Sequence, residues 1–345
     1  YPNLVNAESS GSGYEKLLGN TIRFQGYGNN YDFMYIAVRR PDPLVAKPVE
    51  AGTEVFAMDT GSNSTTIPNF DSGFPVDFAL RKNKTGTTDW ISAARLTGTK
   101  YLIPNSTSAQ SSTNTWFTWD SNLGWATDGT NQNSWMWKRG AGFDVTTWTG
   151  DGVAGRDIQH SLGKIPEMIW LKNRGNSGER WIVYHKGLNG GTNPFEYELR
   201  LNENIAESRW TNWYDTAPTS LSFRVDSTGV VNGNTQQYMA MLFASVDGIS
   251  KCGSYDGSND TLYITTGFQP RFLLVKRVNA TGDWYVFDTT RGWASGGDES
   301  LLLNTTAAQV GSANYGEPTS TGFQLTWSGS GVNESGGKYI YYAHA

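Results

Sequence analysis

The chain has 345 residues, a formal net charge of −5, 37% hydrophobic, 13% aromatic and 17% charged residues, 40 glycines and a single cysteine. The acidic balance excludes the basic stripe with which a nucleic-acid binder displaces counterions. No apolar run approaches a membrane-spanning helix, and a lone Cys252 excludes an internal disulfide and a cysteine zinc site, as suits a chain folded in a reducing cytoplasm.

Aromatic and β-branched runs broken by Gly, Asn, Ser and Thr are the composition of short strands and tight turns, so the chain reads as all-β. In chain order, residues 1–41 read as the C-terminal part of a preceding repeat. TIRFQGYGNNYDFMYIAVRRP parallels the last stretch, GFQLTWSGSGVNESGGKYIYYAHA, each a strand, a Gly/Asn turn and an aromatic strand. On that reading, residues upstream of Tyr1 complete the copy. Pro43 and Pro48, directly after Pro41, then stiffen a connector, residues 42–52.

Three copies follow, residues 53–142, 143–247 and 248–345, built around one β-hairpin. Its clearest form is GFQPRFLLVKRVNATGDWYVFDTTRG at 267–292, with two apolar runs joined by Asn279, Ala280, Thr281 and Gly282. Residues 165–187 and 73–98 repeat it: a proline (Pro75, Pro166, Pro270) six places before a basic residue (Arg81, Lys172, Lys276), then a tryptophan (Trp90, Trp181, Trp284) opening the second strand. Each hairpin leads to a Leu-bearing strand ending at Asn105, Asn202 or Asn304, with Ala109, Ala206 or Ala308 four places on. Asn-x-x-x-Ala predicts one helical turn capped by the asparagine. Two more strands close each copy, the last alternating large residues as in Tyr339, Ile340 and Tyr341. Six to eight strands in about 100 residues, a length that buries its own core, predict tandem antiparallel β-sandwich (jelly-roll-like) domains related by internal repeat, strung as beads in series.

No nucleophile elbow, phosphate loop or dinucleotide fingerprint occurs. His160, His185 and His344 fall in different contexts, and the Asp256 to Asp260 loop lacks the distal glutamate of a calcium loop, so it reads as a solvated turn. No catalytic residue, metal site or cofactor is expected. The shared Trp90, Trp181 and Trp284 read as core, and Arg81, Lys172 and Lys276 as side chains snorkelling from a solvent face. Residues that depart from the shared pattern are the candidates for function. Trp116, Trp119 and Asp120 in the first copy, and Trp210, Trp213 and Asp215 in the second, pair indoles with an acid, as a sugar platform requires. The competing reading has these tryptophans filling contacts between domains or subunits.

FDVTTWTGDGVAGRDIQHSLGKIPEMIWLK (143–172), WIVYHKGLNGG (181–191), DGISKCGSYDGS (247–258), GFQPRFLLVKR (267–277) and YIYYAHA (339–345) together resemble a repeat of marine bacteriophage (cyanophage-like) virion structural or tail-fibre-like proteins. That resemblance implies a non-enzymatic virion protein, made in the bacterial cytoplasm and carried on the virion surface. Its implied partners are further copies of itself, as homo-oligomers such as trimers, other virion proteins, and host-surface polysaccharide, with neither nucleic acid nor membrane insertion. A capsid-decorating protein without a ligand and a polysaccharide depolymerase are the alternatives. The repeat brings no catalytic residues with it.

Overall fold

The computed structural model describes residues 16–18, 21–23, 49–62, 67–112, 117–129, 131–326 and 331–345. The fold is all-β, with antiparallel sheets and a few short 3-10 turns. Residues 1–48 form one unit and 49–345 another. In the first, Lys16–Leu18 pairs antiparallel with Thr21–Arg23. The aromatic strand expected at 33–36 and most of the proline-rich connector lie outside the described residues.

Three six-stranded sheets make up the second unit, and all three have the same strand order. An opening strand (Phe56–Thr60, Phe143–Thr149, Ser250–Asp256) lies at one edge, beside the closing strand (Gln132–Trp137, Gln237–Phe243, Lys338–His344). Next come the two hairpin strands: Phe78–Asn83 with Ile91–Ala94, Met168–Asn173 with Ile182–His185, and Phe272–Arg277 with Trp284–Asp288. A fifth strand (Lys100–Leu102, Tyr197–Arg200, Asp298–Leu302) and a short outer strand (Ser111–Ser112, Ser208–Arg209, Val310–Ala313) complete each sheet. Against each sheet lies a smaller one, formed by Phe70–Asp71 with Gly124–Trp125, Arg156–Gln159 with Ser222–Val225, and Leu262–Thr265 with Gly322–Leu325, the last extended by Gly316–Thr319. Each stretch of chain contributing one such pair of sheets is called a module below.

Strand side chains alternate between faces, and here both faces are buried. Ile169, Leu171, Tyr238, Ala240 and Leu242 face the second module's own small sheet. Their neighbours Met168, Trp170, Met239, Met241 and Phe243 face a core that also takes Phe78, Leu80, Trp135 and Trp137 from the first module, and Phe272, Leu274 and Tyr342 from the third. Burial on both faces explains why these strands read as nearly unbroken apolar runs. Ring contacts run right round this common core: Trp137 to Phe243 at 6.4 Å, Phe243 to Tyr342 at 4.9 Å, and Trp137 to Phe272 at 5.9 Å. The picture of beads in series is therefore corrected. The modules form a closed ring, because each hides an apolar face that the others must cover.

The expected core tryptophans sit at the junctions. Trp90, Trp181 and Trp284 are buried, and each indole Nε1 donates to a carbonyl of the preceding module in the ring: Leu302 at 2.9 Å, Ile103 at 3.0 Å and Arg200 at 2.9 Å. The asparagines do not cap helical turns. Asn105, Asn202 and Asn304 accept the main-chain N–H of those same tryptophans, at 2.8, 2.9 and 2.9 Å. Such a bond ties the loop after the fifth strand to the start of the second hairpin strand, so the backbone there is held without a helix.

The basic residues also need correction. Strand pairing puts Lys82, one place beyond Arg81, level with Lys172 and Lys276. None of the three reaches solvent; all are fully buried. Their ammonium groups donate into the neighbouring module, Lys82 to Thr306 O at 2.9 Å, Lys172 to Thr107 O at 3.4 Å, and Lys276 to Ile205 O at 3.0 Å and Asn204 O at 3.4 Å. Arg81 is buried too, on the opposite face, with its guanidinium 5.7 Å from the Phe117 ring and a bond to Asp128 O at 2.8 Å.

Candidate functional site

Of the indoles singled out from the sequence, Trp116 lies outside the described residues. Trp119 is packed: it stacks on Trp125 at 5.2 Å, carries the Arg95 guanidinium 5.5 Å from its ring, and donates from Nε1 to Gly98 O at 2.8 Å. Asp120 is exposed in the following turn. Trp213 is 2% exposed and wedged edge-on against Tyr184 and Phe223 in the second module's own core, so it presents no face to a ligand. Tyr315 packs in the corresponding core of the third module, on Tyr285 and Phe287. Asp215 is exposed beside Tyr214, both at positive φ in the turn after Trp213.

Trp210 differs from these. It follows the outer strand Ser208–Arg209 of the second sheet and remains 44% exposed. Its main-chain N–H donates to Glu196 O at 3.0 Å, and its Nε1 to Ser208 Oγ at 3.1 Å, which together fix the plane of the ring. The Arg180 guanidinium lies 4.8 Å from the ring centre, a cation–π contact. Arg180 is itself aimed by Glu198, whose Oε1 accepts its Nε at 3.3 Å. Arg209 pairs with Glu196 at 2.9 Å beside the ring.

Beneath this platform Glu198 is fully buried. Burial pushes its carboxyl above the ordinary glutamate range, against the opposing pull of Asn212, Arg180 and Arg200. Asn212 donates to its second oxygen, so both carboxylate oxygens are held. The arrangement is a rigid indole with donors and acceptors of both signs at its edge, suited to a ligand that offers a C–H face and hydroxyls together.

Sequence reasoning reached Trp210 but missed Arg180, Glu196 and Ser208. A signal existed: Arg180 immediately precedes Trp181 where the other hairpins have Asp89 before Trp90 and Asp283 before Trp284. In those modules the aspartate accepts from the loop asparagine, Asn105 at 2.7 Å and Asn304 at 2.8 Å. A charge reversal at a shared position marks a module that does something else there. Among the described residues no group of three or more His, Cys, Asp or Glu is placed to hold a metal ion.

No curated protein and no solved structure matches this chain. One family model does match, running once through residues 55–345 and so across all three modules as a single domain. The chain therefore belongs to the family described as a domain of unknown function, DUF7483.

Proposed function

We propose that residues 49–345 are a non-enzymatic adhesive element on a bacteriophage virion, of the tail-fibre or head-appendage kind, whose three modules are copies of one ancestral β-sandwich and which contacts host-surface glycan through the Trp210 platform. The observation that carries the glycan reading is Trp210 itself. It is a large indole held in place by three contacts and left half open, whereas the other tryptophans among the described residues are buried or stacked. An aromatic pre-oriented in this way loses little conformational freedom on binding. The virion assignment draws its support from the resemblance of the strand and hairpin segments. Association with further copies, trimers included, and with other virion proteins belongs to the same reading.

Retention of the purified chain on host cells or their isolated surface polysaccharide is the direct test. Trp210→Ala should cut retention at least tenfold while leaving the unfolding midpoint nearly unchanged, because the ring is half exposed. Unchanged retention rejects the platform. Complete lack of retention by the unaltered chain favours a decorating protein without ligand, and newly formed reducing ends favour a depolymerase.

A further inference from the structure

The three junctions of the ring repeat one main-chain bond. Gln110 N donates to Arg174 O, Glu207 N to Val278 O and Gln309 N to Lys84 O, each at 2.8 Å. The three acceptors are equivalent, each one place beyond the first strand of its hairpin. At two junctions the donor is a glutamine and the acceptor a basic residue. Between the second and third modules the charges are exchanged: valine replaces the base, and glutamate replaces the glutamine.

At the first junction the Arg174 side chain fills the space it enters. Its Nη1 donates to Gln110 Oε1 at 2.7 Å and its Nε to Tyr238 O at 3.3 Å, and no room for a water is left beside it. At the second junction valine is too short to follow the arginine. An open cleft of about 240 Å³ remains, bordered by Gly187, Gly190, Ser254, Asp256, Val278 and Lys338. Tyr255 and Tyr339 adjoin it through their main chain, because alternation turns both rings into the third module's own core.

The acceptors that hold Arg174 have counterparts here. Strand pairing puts the Tyr339 carbonyl where Tyr238 O stands, and the repeated main-chain bond puts Glu207 where Gln110 stands. Glu207 Oε2 accepts Asn189 N–H at 2.7 Å from the turn opposite, while its Oε1 has no hydrogen-bond partner among the described residues. Burial lifts this carboxyl above the ordinary glutamate range, against the pull of the Asn189 bond, Lys338 and Lys276, so the cations nearby leave it under-compensated. Lys338 itself is turned to Asp256 at 3.3 Å, in an exposed pair at the rim.

We infer that this cleft binds a guanidinium group, the arginine side chain of a second polypeptide, in the place that Arg174 fills from within the chain at the first junction. Glu207 Oε1 and the Tyr339 carbonyl take its N–H groups as Gln110 and Tyr238 take those of Arg174. A carboxylate in place of a carboxamide makes the bond charge-assisted, and so stronger than its counterpart. A planar fork spans two fixed acceptors in a way that a compact ammonium does not, which favours arginine over lysine. A second copy of this chain and a different protein can supply the same group. The cleft and the Trp210 platform are separate sites, and neither reading depends on the other.

NMR titration of the whole chain with N-acetyl-arginine amide and N-acetyl-lysine amide tests the cleft. The arginine derivative should bind saturably, and the lysine derivative about tenfold more weakly. Val278→Arg should abolish binding, because the new side chain can repeat the Arg174 contacts. Glu207→Gln, a near-isosteric change that keeps an acceptor for Asn189 N–H, should weaken binding about tenfold and settles the matter if Val278→Arg does not fold. Trp210→Ala should leave binding intact. No saturable binding by the unaltered chain, equal binding of the two derivatives, or arginine binding untouched by Glu207→Gln overturns the inference. Sedimentation separates the two sources. Self-association that the arginine derivative or Glu207→Gln dissolves places a second copy's arginine in the cleft, whereas a chain that binds the derivative and stays monomeric takes its arginine from another protein.

Discussion

At the scale of single residues, the most informative finding is the burial of Lys82, Lys172 and Lys276. An ammonium group surrounded by main-chain carbonyls is hydrogen-bonded but poorly solvated, and burial pushes these three down to about 8, about 8 and about 7 from an ordinary value of 10.5. The unfolded chain therefore binds more protons than the folded one between about pH 7 and 10.5, and stability must rise with pH across that window. Two buried histidines act in the same direction lower down. His185 and His344 are pushed to about 3 by burial, so stability is lost as pH falls below 6.5. Tyr255 and Tyr342, raised well above 10.0 by burial, reverse the trend on the alkaline side, because the unfolded phenols ionise first. Thermal unfolding midpoints should climb from pH 5 to about pH 9 and fall beyond about pH 10. In Lys276→Met the climb above pH 7 should flatten; a midpoint in the unaltered chain that does not change over this range contradicts the assignment. The expectation that Lys172 and Lys276 snorkel, like the one for Arg81, fails for a physical reason. Each lysine follows an apolar run at a strand end, where solvent is the ordinary expectation, and only closure of the ring puts a neighbouring loop over it.

The hairpins are the elements most legible in the sequence. Their paired apolar runs, turn residues and opening tryptophans correspond to the observed pairings of Phe78–Asn83, Met168–Asn173 and Phe272–Arg277 with their partners, because a hairpin's register is set locally by its turn. The asparagine after the fifth strand was visible as a shared residue, yet its role was not. Its partner, the N–H of a tryptophan 15 to 21 residues away, is a contact that no local pattern encodes. The candidate site was legible only in part for a related reason. Trp210 and Trp213 look alike in sequence, but Trp213 turns into the core after the outer strand ends and Trp210 does not. Junction bonds offer a direct test at this scale. Trp181→Phe removes the indole bond to Ile103 O and leaves both a void and an unpaired carbonyl between the first two modules. The loss should be about 2–4 kcal/mol in denaturant unfolding. Trp210→Phe, at a half-exposed position, should lose less than about 1 kcal/mol. Equal effects at the two positions deny the junction tryptophans their place in ring closure.

For the molecule as a whole, the decisive feature is that ring closure joins the first module to the third, across the full length of the unit. Trp90 Nε1 reaches Leu302 O, Arg271 reaches Phe56 O at 3.1 Å, Trp135 Nε1 donates to the buried Asp288 carboxylate at 2.9 Å, and Phe56 stacks on His344 at 4.5 Å. Head-to-tail contacts of one kind close a ring when the rotation between neighbours fits a whole number of copies, and here three modules of one chain suffice. The energetic consequence follows from the common core. A module alone would expose Met168, Trp170, Met239, Met241 and Phe243, or their counterparts, each worth about 1.5–3 kcal/mol when buried. That loss is comparable to the whole stability of a small domain, ~5–15 kcal/mol. Residues 49–345 should therefore unfold in one cooperative transition, with calorimetric and van't Hoff enthalpies in agreement. Residues 143–247 produced alone should aggregate or assemble with further copies, and should not form a folded monomer. Three resolved transitions in the intact chain, or a stable monomeric middle module, would mean that the inner faces are not what holds the modules together, and the ring would have to be reinterpreted as a loose contact among independent domains.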